Sequence, residues 1–175
     1  MQANRVRIAV ASLALSAAGF IAIVGSESYT STAVVPTKGD RPTVGFGSTF
    51  HENGAPVKLG DTTTPVRALV KAQAHIGKEE AVFRASLDGV SLSQAEYDTY
   101  MDWVYQYGSG NWIKPLSPRT WLLKGDYAGA CEALLNWRYA AGYDCSTMVN
   151  GQPNKRCYGV WTRQLERYTK CMAAQ

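Results

Sequence analysis

An α+β domain is what this sequence predicts: a small strand lobe, then a larger helical lobe, with an apolar segment in front of both. Three observations carry the prediction. Residues 8–25 contain no charge, residues 27–59 interleave Thr, Val, Tyr and Phe with Pro, Gly and Asn-Gly turn signals, and from Thr64 onward the apolar residues fall at helical spacing. At 175 residues the chain suffices for one domain and a short appendage, not for two full domains.

The first element is IAVASLALSAAGFIAIVG, residues 8–25. As one helix it would extend roughly 27 Å at ~1.5 Å per residue, enough to cross a hydrocarbon core. Arg5 and Arg7 precede it and no Lys or Arg follows before Lys38. The positive-inside rule therefore keeps the N-terminus in the cytoplasm and exports the rest. Ala, Gly and Ser fill more than half of the run, so membrane retention should be weak compared with a Leu- or Ile-rich anchor. Removal as a signal peptide near Gly25 or Ser26 is the rival expectation.

The strand lobe runs from Glu27 to about Leu59, punctuated by Pro36, Gly39-Asp40, Pro42, Gly45, Gly47 and Asn53-Gly54. Thr64-Pro65 opens the helical part, with Val66, Leu69, Val70, Val82, Phe83 and Leu87 as its apolar positions. Ser93-x-x-Glu96 is a capping box for a second helix whose stripe is Tyr97, Tyr100, Met101, Val104 and Tyr105. Ser117-Pro118 and Asp126 mark further helix starts, and a last amphipathic helix is expected from about Tyr158 to Cys171. Trp103, Trp121, Trp137 and Trp161 fall in helical patterns and are expected in the core.

A net charge of +4, scattered along the chain, is too mild for a nucleic-acid binder and suits an acidic polymer such as cell wall. All four cysteines, Cys131, Cys145, Cys157 and Cys171, lie in the last third, without the close pairs that a zinc site wants. Disulfides and an oxidising compartment follow. Of three possible connectivities the preferred one is Cys145–Cys157, closing the loop STMVNGQPNKR, with Cys131–Cys171 tying two helices together. No metal or other cofactor is implied. His51 and His75 raise a Ser48 hydrolase, but GFGST lacks the G-x-S-x-G elbow and no acid is evidently placed to orient a histidine.

Glu27, TVGFGST at 43–49, VYQYGSGNW at 104–112 and CYGVWTRQLERYTKC at 157–171 occur in this order. The order resembles the phage-type lysozymes, glycoside hydrolase family 24, over residues 27–171. A weakly apolar segment abutting such a domain further resembles signal-anchor-release endolysins. The resemblance implies a release segment at 1–26, a lysozyme domain at 27–175 and a two-lobed lysozyme-like fold. It also implies a monomeric muramidase acting on peptidoglycan. Such an enzyme is exported by the host secretion machinery, held inactive at the inner membrane facing the periplasm, then released into the periplasm.

Cleaving a glycosidic bond needs an acid for the leaving oxygen and a second group that holds a water at the anomeric carbon. The resemblance assigns the acid to Glu27 and water positioning to Thr43, whose hydroxyl both donates and accepts. The family's aspartate slot falls on Pro36 or Thr37 here, and the Glu-to-Thr interval is one residue longer. Asp40 is the only carboxylate between Glu27 and Thr43 and is the expected second catalytic group, with Thr37 as the fallback. Gln106 resembles a saccharide-binding position, and Arg163 the basic residue that pairs with the catalytic acid. A non-catalytic, membrane-tethered wall-binding module and a transglycosylase are the competing functions.

Overall fold

The computed structural model describes residues 6–36 and 39–175; Arg5, Thr37 and Lys38 lie outside them. Two compact units divide the chain. One comprises residues 16–81, the other residues 82–175 together with the N-terminal residues up to Leu15.

The apolar N-terminal run is split between these units instead of forming one long helix. A short strand β1, Ile8–Ala9, pairs antiparallel with β4, Ser91–Leu92, matching Ile8 to Leu92 and Ala9 to Ser91. Val10 N–H extends the pairing to the Val90 carbonyl at 3.0 Å. A 3₁₀ turn follows at Val10–Ser12, and α1, Ala17–Gly25, starts afresh where the Ser16 hydroxyl accepts the Gly19 N–H at 2.9 Å. The expected single spanning helix over 8–25 is thus corrected. Among the described residues no helix is long and apolar enough to cross a membrane. The physical reason is a distant partner joined to a local cap: the backbone of residues 8–10 pairs with residues 90–92, Val10 and Leu13 are buried, and Ser16 supplies a cap that restarts the helix.

In the unit of residues 16–81, β2 (Thr30–Val34) and β3 (Thr43–Gly45) form an antiparallel pair with a bulge in its register. Ala33, Val44 and Val57 make its small core. The long helix α2, Pro65–Ala85, opens as expected: Pro65 needs no N–H partner, and the Thr64 hydroxyl accepts the Arg67 N–H at 3.3 Å. Its buried face differs from the expected one. Val66, Leu69 and Val70 are exposed, whereas Ala68, Ala72 and Ile76 are buried. Small residues face inward because β3 approaches the helix closely at Gly45, as the site below requires.

In the other unit, α3 (Gln94–Tyr107) begins at the predicted capping box, with both reciprocal bonds present between Ser93 and Glu96. Gly108, at φ +80, ends it. The short helices α4 (Ser109–Trp112), α5 (Arg119–Leu122) and α6 (Tyr127–Ala133) follow, the last capped by Asp126, which accepts the Gly129 N–H at 2.8 Å. Two small hairpins come next, β5–β6 (Tyr139–Ala140 with Tyr143–Asp144) and β7–β8 (Met148–Val149 with Gln152–Pro153). The last element, α7, is Tyr158–Ala173. Both preferred disulfides are present, Cys131–Cys171 joining α6 to α7 and Cys145–Cys157 closing the hairpin region.

An aromatic cluster fills this unit. Phe83 meets Tyr97 edge-on at 5.1 Å, and Trp103 contacts Trp112 at 5.7 Å and Trp137 at 4.7 Å. Trp103 is fully buried as expected, and so is Trp112, which helical spacing alone did not single out. Trp121, Trp137 and Trp161 are only partly buried.

Candidate active site

Glu27, Asp40 and Thr43 all belong to the unit of residues 16–81, on one stretch of chain around the β2–β3 hairpin. Helix α1 stops just before Glu27. The Ser26 N–H bonds back to the Ala22 and Ile23 carbonyls, the Ser26 hydroxyl donates to Ile23 O at 2.6 Å, and Glu27 N–H donates to Val24 O at 3.1 Å. The backbone of Glu27 is therefore fastened to the helix end, and its side chain is half-buried.

Thr43 opens β3 opposite Val34 and is half-buried. Its hydroxyl lies 3.5 Å from the Val34 carbonyl, at the outer limit of hydrogen bonding, so this contact holds it only loosely. Asp40 sits in the loop between the strands and is exposed. Thr37, the fallback for its role, lies outside the described residues.

The glycines of TVGFG do what their spacing predicts. Val44 and Ser48 exchange backbone bonds at 3.0 and 3.1 Å, closing a tight turn through Gly45 and Gly47, both at positive φ (+70 and +80). Gly45 meets a second demand: a Cβ there would lie 2.8 Å from the Ala68 Cβ of α2. Any side chain would therefore push the hairpin that carries Thr43 off the helix. Tyr29 bridges the same region, its ring 5.4 Å from Phe46 and its hydroxyl donating to Thr63 O at 3.2 Å.

Below the hairpin lies a polar hollow lined in part by Ser48, His51, Glu52, Arg67 and Lys71. Here an expectation is corrected, because an acid does orient a histidine. His51 Nε2 lies 2.7 Å from Asp61 Oδ2, which also accepts the Lys58 N–H at 2.7 Å. The Lys58 amide first, then His51, hold the Asp61 carboxyl below the usual carboxylate range. The pair ties the 51–61 loop to itself, and Asp61 further anchors β2 by accepting the Ala33 N–H on its carbonyl at 2.8 Å.

Gln106 and Arg163 belong to the other unit, where one network joins them. Arg163 Nη2 donates to Asp102 Oδ1 at 2.7 Å, Arg167 Nε donates to Asp102 Oδ2 at 2.6 Å, and Arg167 Nη1 donates to Gln106 Oε1 at 2.6 Å. Asp102 and Arg167 organise both predicted residues, yet sequence reasoning passed over them. The only signal available was their placement on helices that also carry Gln106 and Arg163.

The glycine-turned hairpin and the disulfide-tied helical unit define an α+β protein of lysozyme-like fold. The chain belongs to the phage lysozyme family, whose model matches residues 25–170. Among solved structures it is similar to the endolysin from Escherichia coli O157:H7 phage FAHEc1, at 22% identity and a TM-score of 0.74, over 92% of this chain and 94% of that one. A P22 lysozyme mutant follows, with 21% identity, a TM-score of 0.70 and coverage of 91% and 99%. The muramidase domain of SpmX from Asticaccaulis excentricus gives 17%, 0.69, and 91% and 97%. No curated protein sequence matches the chain significantly.

Proposed function

We propose that the chain is an endolysin, a muramidase that hydrolyses the β-1,4 bond between N-acetylmuramic acid and N-acetylglucosamine in peptidoglycan and so lyses its bacterial host. The observation that carries the reading is the setting of Glu27. It is the first carboxylate of the chain, fastened to the end of α1 and followed by the Thr43 hairpin, all inside the stretch that matches the family.

In this mechanism the Glu27 carboxylic acid gives its proton to the glycosidic oxygen as the bond to the anomeric carbon breaks. A water then adds to that carbon, oriented by the Thr43 hydroxyl, and its proton passes to the Asp40 carboxylate. Gln106 and Arg163 are the saccharide-binding candidates. The test is incubation of the purified full chain with peptidoglycan. New reducing ends in the muropeptides support hydrolysis. Anhydro ends point to a transglycosylase, and binding without release points to a wall-binding module, the reading favoured by the displaced aspartate slot.

The same proposal makes residues 1–26 an export segment that holds the enzyme at the inner membrane, facing the periplasm, until it is released as a monomer. Support comes from what the folded state leaves unexplained. More than half of positions 8–25 are exposed, among them Ile8, Ala9, Ala14 and Ile21, yet none is charged. A surface shaped by folding alone carries roughly a quarter to a third charged residues. A stretch that must also enter hydrocarbon cannot, because each charge there costs about 2.5–3.5 kcal/mol.

A further inference from the structure

We infer that the disulfide-closed hairpin β7–β8 is a lipid-contact surface, which seats its apolar tip and its two cations on the headgroups of an anionic phospholipid bilayer. None of these residues belongs to the catalytic and saccharide-binding sets proposed above or to the N-terminal segment.

Burial does not account for the tip. Its strands, Met148–Val149 and Gln152–Pro153, are two residues long and form a sheet of two strands. A hairpin of that kind is marginally stable in water at best, and here the Cys145–Cys157 disulfide closes it at its base. Yet Met148 and Val149 are 56% and 53% exposed. Asn150 and Gly151, at φ +52 and +74, reverse the chain immediately after them. An apolar pair is thus held beside a sharp, covalently braced turn in contact with solvent.

Two features point to lipid. Successive strand residues face opposite sides, so Met148 and Val149 leave both faces of the hairpin apolar. A flat protein partner covers one face, whereas the interfacial layer of a bilayer surrounds a tip. The charges agree. Lys155 and Arg156 are the charged residues of the loop, and no Asp or Glu occurs from 145 to 165. Both cations are exposed, and among the described residues neither has a carboxylate partner. Arg156 lies over the Tyr143 ring, 4.0 Å from its centroid, which keeps the guanidinium beside β5–β6. Asp144, next to the loop, is taken by Arg138 at 3.1 Å and by the Ser146 hydroxyl at 2.6 Å. Exposed apolar side chains beside unpaired cations are what an anionic headgroup layer attracts. A glycan strand is covered in hydroxyls, which Met148 and Val149 would desolvate without pairing.

The test is co-sedimentation of the purified full chain with vesicles of mixed phosphatidylglycerol and phosphatidylcholine, and with vesicles of phosphatidylcholine alone. Three variants accompany the parent: Met148→Ser with Val149→Ser, Lys155→Gln with Arg156→Gln, and, as a control on the exposed face of α2, Val66→Ser with Val70→Ser. All these side chains are exposed, so melting temperatures should stay within about 2 °C of the parent. The parent should bind the anionic vesicles and dissociate as salt is raised. The serine pair in the hairpin should weaken binding about tenfold, the glutamine pair about thirtyfold, and the control pair less than about twofold. A parent that ignores the anionic vesicles, or binds neutral ones equally, overturns the assignment, as do hairpin variants that bind like the parent or a control as weak as the serine pair. Hairpin variants that lose sedimentation with purified peptidoglycan, at unchanged vesicle binding, would make the loop a wall contact instead. Vesicle binding is read without lysis, so a failed muramidase assay would leave this surface standing.

Discussion

Arg167 grips Asp102 from two sides, donating from Nε to the carboxylate at 2.6 Å and from Nη2 to the backbone carbonyl at 3.0 Å. The guanidinium is almost wholly buried, at 2% side-chain exposure, against 22% for Asp102. Burial pushes the Asp102 carboxyl up, but hydrogen bonds and charge from Arg167 and Arg163 outweigh it and hold the group below its ordinary range. Asp102→Asn leaves a buried arginine without its counter-charge and should cost about 2–4 kcal/mol in urea unfolding at neutral pH. Because the folded value is depressed, the stabilisation is present above the unfolded value of about 3.9 and is lost as pH falls through the folded one. The gap between parent and variant should therefore narrow below about pH 4.

Glu27→Gln keeps shape and removes the proton. Turbidity assays on outer-membrane-permeabilised cells should show lysis reduced by ~10²–10⁴-fold with an unchanged melting temperature. A variant that retains more than about a tenth of parental lysis would return Glu27 to the role of a polar residue closing α1.

Asp40→Asn should be nearly as damaging as Glu27→Gln, and Thr37→Val mild, when initial lysis rates are compared at equal protein concentration. The reverse ranking would move the second catalytic role to Thr37 and leave Asp40 as a turn residue.

Ala14, Ala17 and Ala18 are exposed in the folded protein, so leucine at all three should leave the docked fold intact while strengthening membrane insertion by several tenths of a kcal/mol each. Fractionation should find the triple variant in the membrane and lysis delayed. Prompt lysis, or a parental chain that begins at Ser26 or Glu27 in the periplasm, would replace release by ordinary secretion.

Gly45→Ala adds a methyl where φ is +70 and where Ala68 leaves 2.8 Å. Left-handed strain of roughly 1–2 kcal/mol and a clash of similar size should combine. Calorimetry should show a lower melting temperature, and lysis at 37 °C should fall because Thr43 shares the displaced strand.

What was legible in the sequence was local. The Ser93–Glu96 capping box, the Asp126 cap, the GFG turn and Pro65 at a helix start each depend on residues within a few positions, and each appears as expected. The two disulfides were legible because four cysteines offered only three pairings. Long-range partners were not. Ile8 pairs with a strand more than 80 residues away, so a charge-free run looked like one helix. Val66, Leu69 and Val70 carry the helical period of α2, but which face is buried depends on the hairpin that lies against Ala68. Glu27, Asp40 and Thr43 were found through the order of a family's motifs, whereas Asp102 and Arg167 matter through a contact between α3 and α7 that no spacing announces.

The contact between Gly45 and Ala68 has a consequence for how this protein can diverge. Each position is confined by the other, so neither can enlarge alone without lifting the strand from the helix. In relatives position 45 should stay glycine, because its φ of +70 strains any side chain, and position 68 should stay small. Libraries that randomise both at once should recover glycine at 45 with only the smallest residues at 68. That asymmetric pair would be visible without any assay of lysis, as a signature of strand and helix held at one spacing.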